Sequence, residues 1–388
     1  MPWSPLAVLP NVRLADSIEA SPLALVPPED ARVTDLREQH VRFGEFVSRF
    51  TTEHGADVEP AILLKAFKGE NKQYSTEAMV AFRNSIAIAT TLRSHAVRLA
   101  YGTQHRIIYS DAFEFYPWML DRNHERLISL TPAQMAWHTV DEFHGQSTAG
   151  VPLQNLAMHE LDRPLLEALL EAWKLAYGRS RQTAKERALF RSLNMANTAL
   201  AMPAARAALI FDYGRQCALW ISAFEILAHH HSGEDHANFK LVRELLEERP
   251  LNGRRIGRRI YRIGGKRRPQ NVALPTKLYA LLYQARNDFL HGNAVKRSSL
   301  LLPWSDRFIG DFAPLLYRCA LRNFLGFGPV PADLNAAAAA GEREPYMQLD
   351  VEQALLRARE PPEQERVGED TGCERAVAEA ARQRLRME

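Results

Sequence analysis

Apolar residues recur every three or four positions through most of the second half of the chain, the spacing that gives a helix one buried face. The pattern predicts helices over 164–177, 184–200, 204–231, 236–248, 274–291 and 305–325. Their connections are short and carry Gly, Pro and basic residues, so a bundle is expected over 163–328. The first half reads differently. One helix starts near Asp35 and runs through Phe46 and Phe50 to a stop at His54 and Gly55. A second covers 75–99, with Met79, Phe82, Ile86, Ile88 and Leu92 on its apolar face. Between 105 and 150, short runs around Ile107, Ile108 and Tyr109, from Arg126 to Leu130, and from Ala136 to Val140 are separated by turn residues and predict strands. The fold class expected is therefore mainly α: a mixed α+β unit over 36–160, then the bundle. Residues 1–35 are Pro-rich and weakly patterned, a loose lead-in, and 329–388 read as a low-complexity, mostly disordered tail with a transient helix near 374–387. No internal repeat is found.

The helix over 274–291 carries the chemistry. Leu278, Leu281, Leu282, Ala285 and Phe289 form its core stripe. Arg286 falls on the flank of that stripe, and Asn287 and His291, four apart, share the opposite face. Gly292 follows at once and marks the helix end, so His291 belongs to the last turn. An arginine grips a phosphate with two parallel hydrogen bonds. A histidine can give or take a proton at neutral pH. Together they are a minimal kit for cleaving RNA through its own 2′-OH, with no metal and no cofactor. Spacing alone does not single out this pair, because Arg49 and His54 are also five apart.

Charge adds a second feature. The net charge of the 388-residue chain is only +3, but eight of the fifteen residues from 254 to 268 are cationic. They are Arg254, Arg255, Arg258, Arg259, Arg262, Lys266, Arg267 and Arg268, and no acid occurs from Arg249 through Asn287. With Tyr261 among them, the segment suits phosphate contact plus base stacking. The other reading is a solvated loop or one docked on an acidic face.

Arg286-Asn287-Asp288-Phe289-Leu290-His291-Gly292 resembles the Arg-x4-His motif of the HEPN family, in its Apea-like branch. There a polar residue, often Asn, follows the arginine, and the motif lies on the penultimate or third helix of the domain's core. Arg49 is followed by Phe50 and lies outside the bundle, so that pair lacks the context. The apolar segment Leu219–Leu227, with Glu225 embedded, resembles the first helix of Apea-like domains. The likeness covers 204–326. It implies a helical domain that often dimerises, with two motifs facing each other in one cleft. Many such proteins are metal-independent endoribonucleases of defence or toxin systems, and others are not catalytic. Arg286, His291 and Asn287 are then the catalytic candidates, with single-stranded RNA and a second copy of the chain as partners. The alternative is a non-catalytic dimerisation or binding module.

Glu225, in a helix apolar nearly all round, needs a partner, and an ion pair with Arg286 or Arg215 is expected before a catalytic role. His229, His230, His231, Asp235 and His236 do not converge as a tetrahedral metal site requires. His138, Asp141, Glu142 and His144 give a similar weak hint. No metal is expected. Three distant cysteines, the lack of a signal-like N-terminus and the lack of a long apolar run point to a cytoplasmic protein with no membrane span.

Overall fold

A computed structural model describes residues 3–52, 54–67, 71–102, 107–121, 126–129, 138–139, 154–202, 209–229, 239–249, 251, 256–264, 269–329 and 331–359. The mainly α fold class is borne out, with a small sheet region at the N-terminus.

The lead-in expected over 1–35 is instead ordered. Strands β1 (Trp3–Leu9), β2 (Val12–Leu14), β3 (Ile18–Ala20) and β4 (Leu23–Val26) occupy it. With β5 (Ala61–Ala66), three of them build an antiparallel sheet in the order β1-β5-β4-β3. Both faces of this sheet are covered. Leu23, Leu25, Ala61 and Leu63 join the main core, while Ala24, Val26, Ile62 and Leu64 face helices α1 (Ala31–Gln39) and α2 (Val41–Ser48). A strand buried on both sides has no polar positions to alternate with, so it carries no period-two signal. The single helix expected from Asp35 to His54 breaks at His40 into α1 and α2. The run from Ile107 to Tyr109 is not a strand. β6 (Trp118–Leu120), β7 (Arg126–Ser129) and β8 (His138–Thr139) form a small sheet of their own, and β9 (Gln154–Leu156) pairs in parallel with β2. Most of 130–153 lies outside the described residues.

Helices α3 (Thr76–Tyr101), α4 (Arg163–Tyr177), α5 (Ala184–Leu200), α6 (Ile210–Ala228), α7 (Phe239–Glu247), α8 (Leu274–Leu290) and α9 (Ala313–Phe324) stand where helices were expected, but α9 starts at Ala313 and not at 305, with a 3-10 turn over Ile309–Phe312 before it. One apolar core runs from Leu6 to Ala358 and includes residues from all seven of these helices. α3, assigned from sequence to the N-terminal unit, packs on α4, α5 and α9, so the boundary expected near 160 does not divide the core.

The tail also departs from expectation. α10 (Leu334–Ala339) and α11 (Arg343–Leu356) are formed, and Val351, Ala354, Leu355 and Ala358 are buried. α11 lies along α3. Its polar residues Gln348, Asp350 and Glu352 are buried. Arg318 of α9 is buried and donates through Nε to Asp162 Oδ2 (2.7 Å), through Nη1 to Gln348 Oε1 (2.8 Å) and through Nη2 to Glu344 Oε2 (3.0 Å). Glu344 also accepts from Arg322 Nε at 2.9 Å. Asp162 caps α4, accepting the Leu165 N–H at 3.3 Å, and donates its own N–H to Ala89 O of α3 at 3.1 Å. The transient helix expected near 374–387 lies outside the described residues. Among the described residues no helix is long and apolar enough to cross a membrane.

Breaking a buried ion pair from one side leaves the other charge without compensation, at about 3–5 kcal/mol. Arg318→Met should therefore lower the free energy of unfolding by about that much, read from urea titrations. A loss of about 1 kcal/mol or less, the range of exposed pairs, would show that the network is not what holds α4, α9 and α11 together.

Candidate functional site

α8 is anchored along its length and exposed at its end. Leu274, Pro275, Leu278, Tyr279, Leu282 and Ala285 are buried. Leu281 and Phe289, expected on the same stripe, are only partly buried against it. Near the end of α8, Phe289 lies against α6 where that helix has Gly214. A Cβ at Gly214 would stand 2.5 Å from Phe289 Cδ1, so only glycine permits this approach. The opposite ends of the pair meet through Phe224 and Tyr279, whose rings are 5.3 Å apart. The two helices are thus antiparallel neighbours.

The helix stops as its sequence implies. His291 is the C-cap residue and donates its backbone N–H to Asn287 O at 2.9 Å. Gly292 takes φ +70°, and the Asn293 N–H reaches back to Asp288 O at 2.9 Å, the Schellman closure of a helix end. The Asp288 carboxylate accepts from Gln284 Nε2 and Asn293 Nδ2, both at 3.0 Å. It therefore braces the cap and is not the partner of Arg286. The cap leaves His291 exposed.

Arg286 is half-buried. Its Nη1 donates to Asn287 Oδ1 at 2.9 Å, and its guanidinium carbon lies 5.7 Å from the centre of the Tyr283 ring. Across on α6, burial pushes the Glu225 carboxyl above its usual range, and the charge of Arg286 partly offsets the shift. No ion pair joins these two among the described residues, so the expected bridge is an action of charge at a distance. Arg215, the other expected partner, instead donates to Asp212 at 3.1 Å. The Tyr279 hydroxyl is buried without a hydrogen-bond partner among the described residues, and burial first, then the charge of Glu225, raises its pKa. Tyr279 and Tyr283 were not singled out from sequence. Their spacing of seven and three residues before Arg286 was the available signal, since both fall on its side of the helix. Arg286 and Asn287 are thus brought together, while His291 stands at the helix end with no hydrogen bond to either side chain among the described residues.

The basic segment precedes α8 as a hairpin of β10 (Tyr261–Ile263) and β11 (Gln270–Val272). Tyr261 is buried in the main core and so cannot stack on a base as expected. Arg259 is exposed but donates to Glu247 Oε2 at 2.8 Å. Glu247 is itself fixed by the Thr276 hydroxyl at 2.8 Å, so this arginine is committed to structure. Arg258 and Arg262 are exposed and make no ion pair among the described residues. Arg254, Arg255, Lys266, Arg267 and Arg268 lie outside the described residues.

Arg49 caps α2 and His54 sits in the turn beyond it, so that pair shares no helix. His229 caps α6. His230, His231, Asp235, His236, Asp141, Glu142 and His144 lie outside the described residues, and among the described ones no group of three or more His, Cys, Asp or Glu could hold a metal. No protein-family model matches the chain, and no curated protein or solved structure matches it.

The coupling between Glu225 and Arg286 has a measurable consequence. A carboxyl whose folded pKa is raised loses stability as pH climbs from its unfolded pKa to its folded one. Arg286→Ala removes the offsetting charge, so the Glu225 pKa should rise further and this pH window should widen. Arg286→Lys should leave it near the wild-type value. Side-chain carboxyl ¹³C shifts against pH report both. A Glu225 titration unmoved by Arg286→Ala would show that the two charges do not feel one another.

Proposed function

We propose that the chain is a metal-independent endoribonuclease of HEPN type, acting on single-stranded RNA in the cytoplasm as part of a defence or toxin system. The observation that supports this most is the way α8 is divided. It sinks Leu278, Leu282 and Ala285 into the core, brings Arg286 and Asn287 into hydrogen-bond contact, and leaves His291 exposed at its C-cap. A phosphate held by Arg286, with Asn287 orienting it, needs only a proton acceptor for the 2′-OH and a proton donor for the leaving oxygen. One His291 serves as base or acid, and His291 of a second copy supplies the complement.

A homodimer across this end suits the surface. Leu209 and Phe211, just before Gly214, and Leu290, just after Phe289, are all exposed and belong to the same end of the α6–α8 pair. Arg258 and Arg262, exposed before the motif helix, add charge for the RNA backbone.

One observation favours the alternative of a non-catalytic binding module. Arg286 already has an acceptor in Asn287, an aromatic face in Tyr283 and an acid nearby in Glu225, which a purely structural arginine would also have.

Purified protein in EDTA should cleave single-stranded RNA. His291→Ala should lower the rate by at least about 10²-fold, the scale of general acid–base catalysis. Arg286→Lys should also cut the rate, since it keeps the charge and loses the fork. Arg49→Ala and His54→Ala should change nothing. Cleavage that needs Mg²⁺ or Mn²⁺, or that survives His291→Ala, would sink the mechanism.

RNA affinity should also fall with salt. Replacing Arg258 and Arg262 by Gln should flatten the log–log slope by about 1.4, at about 0.7 per phosphate of a single strand. Fluorescence anisotropy against salt measures it. An unchanged slope would take the hairpin out of the RNA interface.

A further inference from the structure

The chain beyond α11 starts out beside the basic hairpin. Ala358 is buried, and its carbonyl accepts the Trp304 indole N–H at 3.0 Å. The centre of a Trp304 ring lies 6.0 Å from Lys277 Nζ, and that ammonium donates to Arg262 O of β10 at 2.9 Å. These contacts set Ala358 O within about 15 Å of Arg262 O, a span that five extended residues cover at about 3.3 Å each. Residues 360–388, which continue from this point, lie outside the described residues.

The two segments have opposite charge. From 360 to 374 the sequence holds Glu360, Glu363, Glu365, Glu369, Asp370 and Glu374 against one base, Arg366, six acids to one cation. From Arg249 through Asn287 it holds no acid at all.

Much of the positive charge on the hairpin face is not neutralised where it stands. Arg259 is held by Glu247, but Arg258 and Arg262 are exposed and make no ion pair among the described residues. Lys277 meets a neutral carbonyl and an aromatic ring, and neither cancels its charge. Beside Trp304, Asp306 and Arg307 are both exposed and offset each other in net charge.

We propose that the acidic segment 360–374 docks on the face made by Arg258, Arg262 and Lys277 of its own chain and competes there with the phosphates of RNA. Its carboxylates complement the uncancelled cations, and its attachment at Ala358 places it within reach. A tether this short holds the segment at an effective concentration of about 1 mM. An intrinsic affinity of about 0.1 mM then weakens RNA binding about tenfold by competition. The effect is electrostatic, so salt removes it, the screening length falling to about 3 Å at 1 M. The docking stands apart from the reading of the chain as a ribonuclease, whereas its effect on RNA rests on that reading.

The experiment treats the full chain at low salt with a water-soluble carbodiimide, which joins a carboxylate to an amine in direct contact, and identifies the coupled peptides by mass spectrometry. Lys277 should be joined to Glu360, Glu363 or Glu365 of the same chain, and 1 M NaCl should abolish the link. A variant with Glu360, Glu363, Glu365 and Glu369 changed to Gln and Asp370 to Asn should bind labelled single-stranded RNA about tenfold more tightly at low salt. That gain should shrink as salt rises, and adding Arg258→Gln and Arg262→Gln should erase it. Absence of the Lys277 link, or a link formed only between two chains, would overturn the docking. A link with equal RNA affinity in the two proteins would overturn the competition. If neither protein binds RNA, the competition falls together with the ribonuclease reading, and the Lys277 link still decides the docking.

Discussion

Burying the guanidinium of Arg318 is the constraint on which the helical body depends. A charge taken out of water is tolerated only when its hydrogen-bonding positions are met. Asp162, Glu344 and Gln348 meet them from the cap of α4 and from α11, far apart in sequence. Their charge holds the Arg318 pKa above its usual value against the opposing effect of burial. Because the donors of Arg318 lie in one plane, α4 and α11 can satisfy them only at one position along α9. That position then spreads through the bundle. Tyr317, next in sequence, shares a hydrogen bond with Ser192 of α5, whose hydroxyl donates to Ala223 O of α6 at 2.7 Å. Asn323, further along α9, donates to Leu245 O of α7 at 2.7 Å. α6 in turn carries α8, through Gly214 against Phe289 and Phe224 against Tyr279. The candidate site is thus the last link in a chain of contacts that starts at a buried ion cluster.

α4, α5 and α8 were legible because each had one apolar stripe and one polar side, and their bounds were read to within a residue. What escaped notice did so for definite reasons. Strands β4 and β5 are buried on both faces, so no polar positions alternate along them to give a period. α11 looked like a charged tail because Glu344, Gln348, Asp350 and Glu352 read as solvent-facing, whereas Gln348, Asp350 and Glu352 are buried. Partners that make such burial tolerable, Arg318 for Gln348 and the Tyr101 hydroxyl for Asp350, lie on other helices, and a local reading cannot pair them. Tyr261 was misjudged the same way. Among arginines it looked exposed, but the hairpin alternates, and Tyr261 and Arg262 point to opposite sides of it.

At the site itself, sequence located the residues and missed their company. The position of Arg286, Asn287 and His291 off the core stripe, and the stop at Gly292, followed from helical periodicity. The electrostatic setting did not, because Glu225 is sixty-one positions away and reaches Arg286 only through the packing of α6 on α8. That setting bears on the proposed chemistry. If a phosphate approaches Arg286, it competes with Glu225 for the same positive charge. The carboxyl, already pushed up by burial, then loses the one attraction that offsets the shift and is driven further towards its neutral form. A neutral Glu225 no longer repels the incoming anion. Were phosphate to bind at Arg286 as proposed, proton uptake at Glu225 would be linked to it, each favouring the other, at the fixed spacing of the two helices.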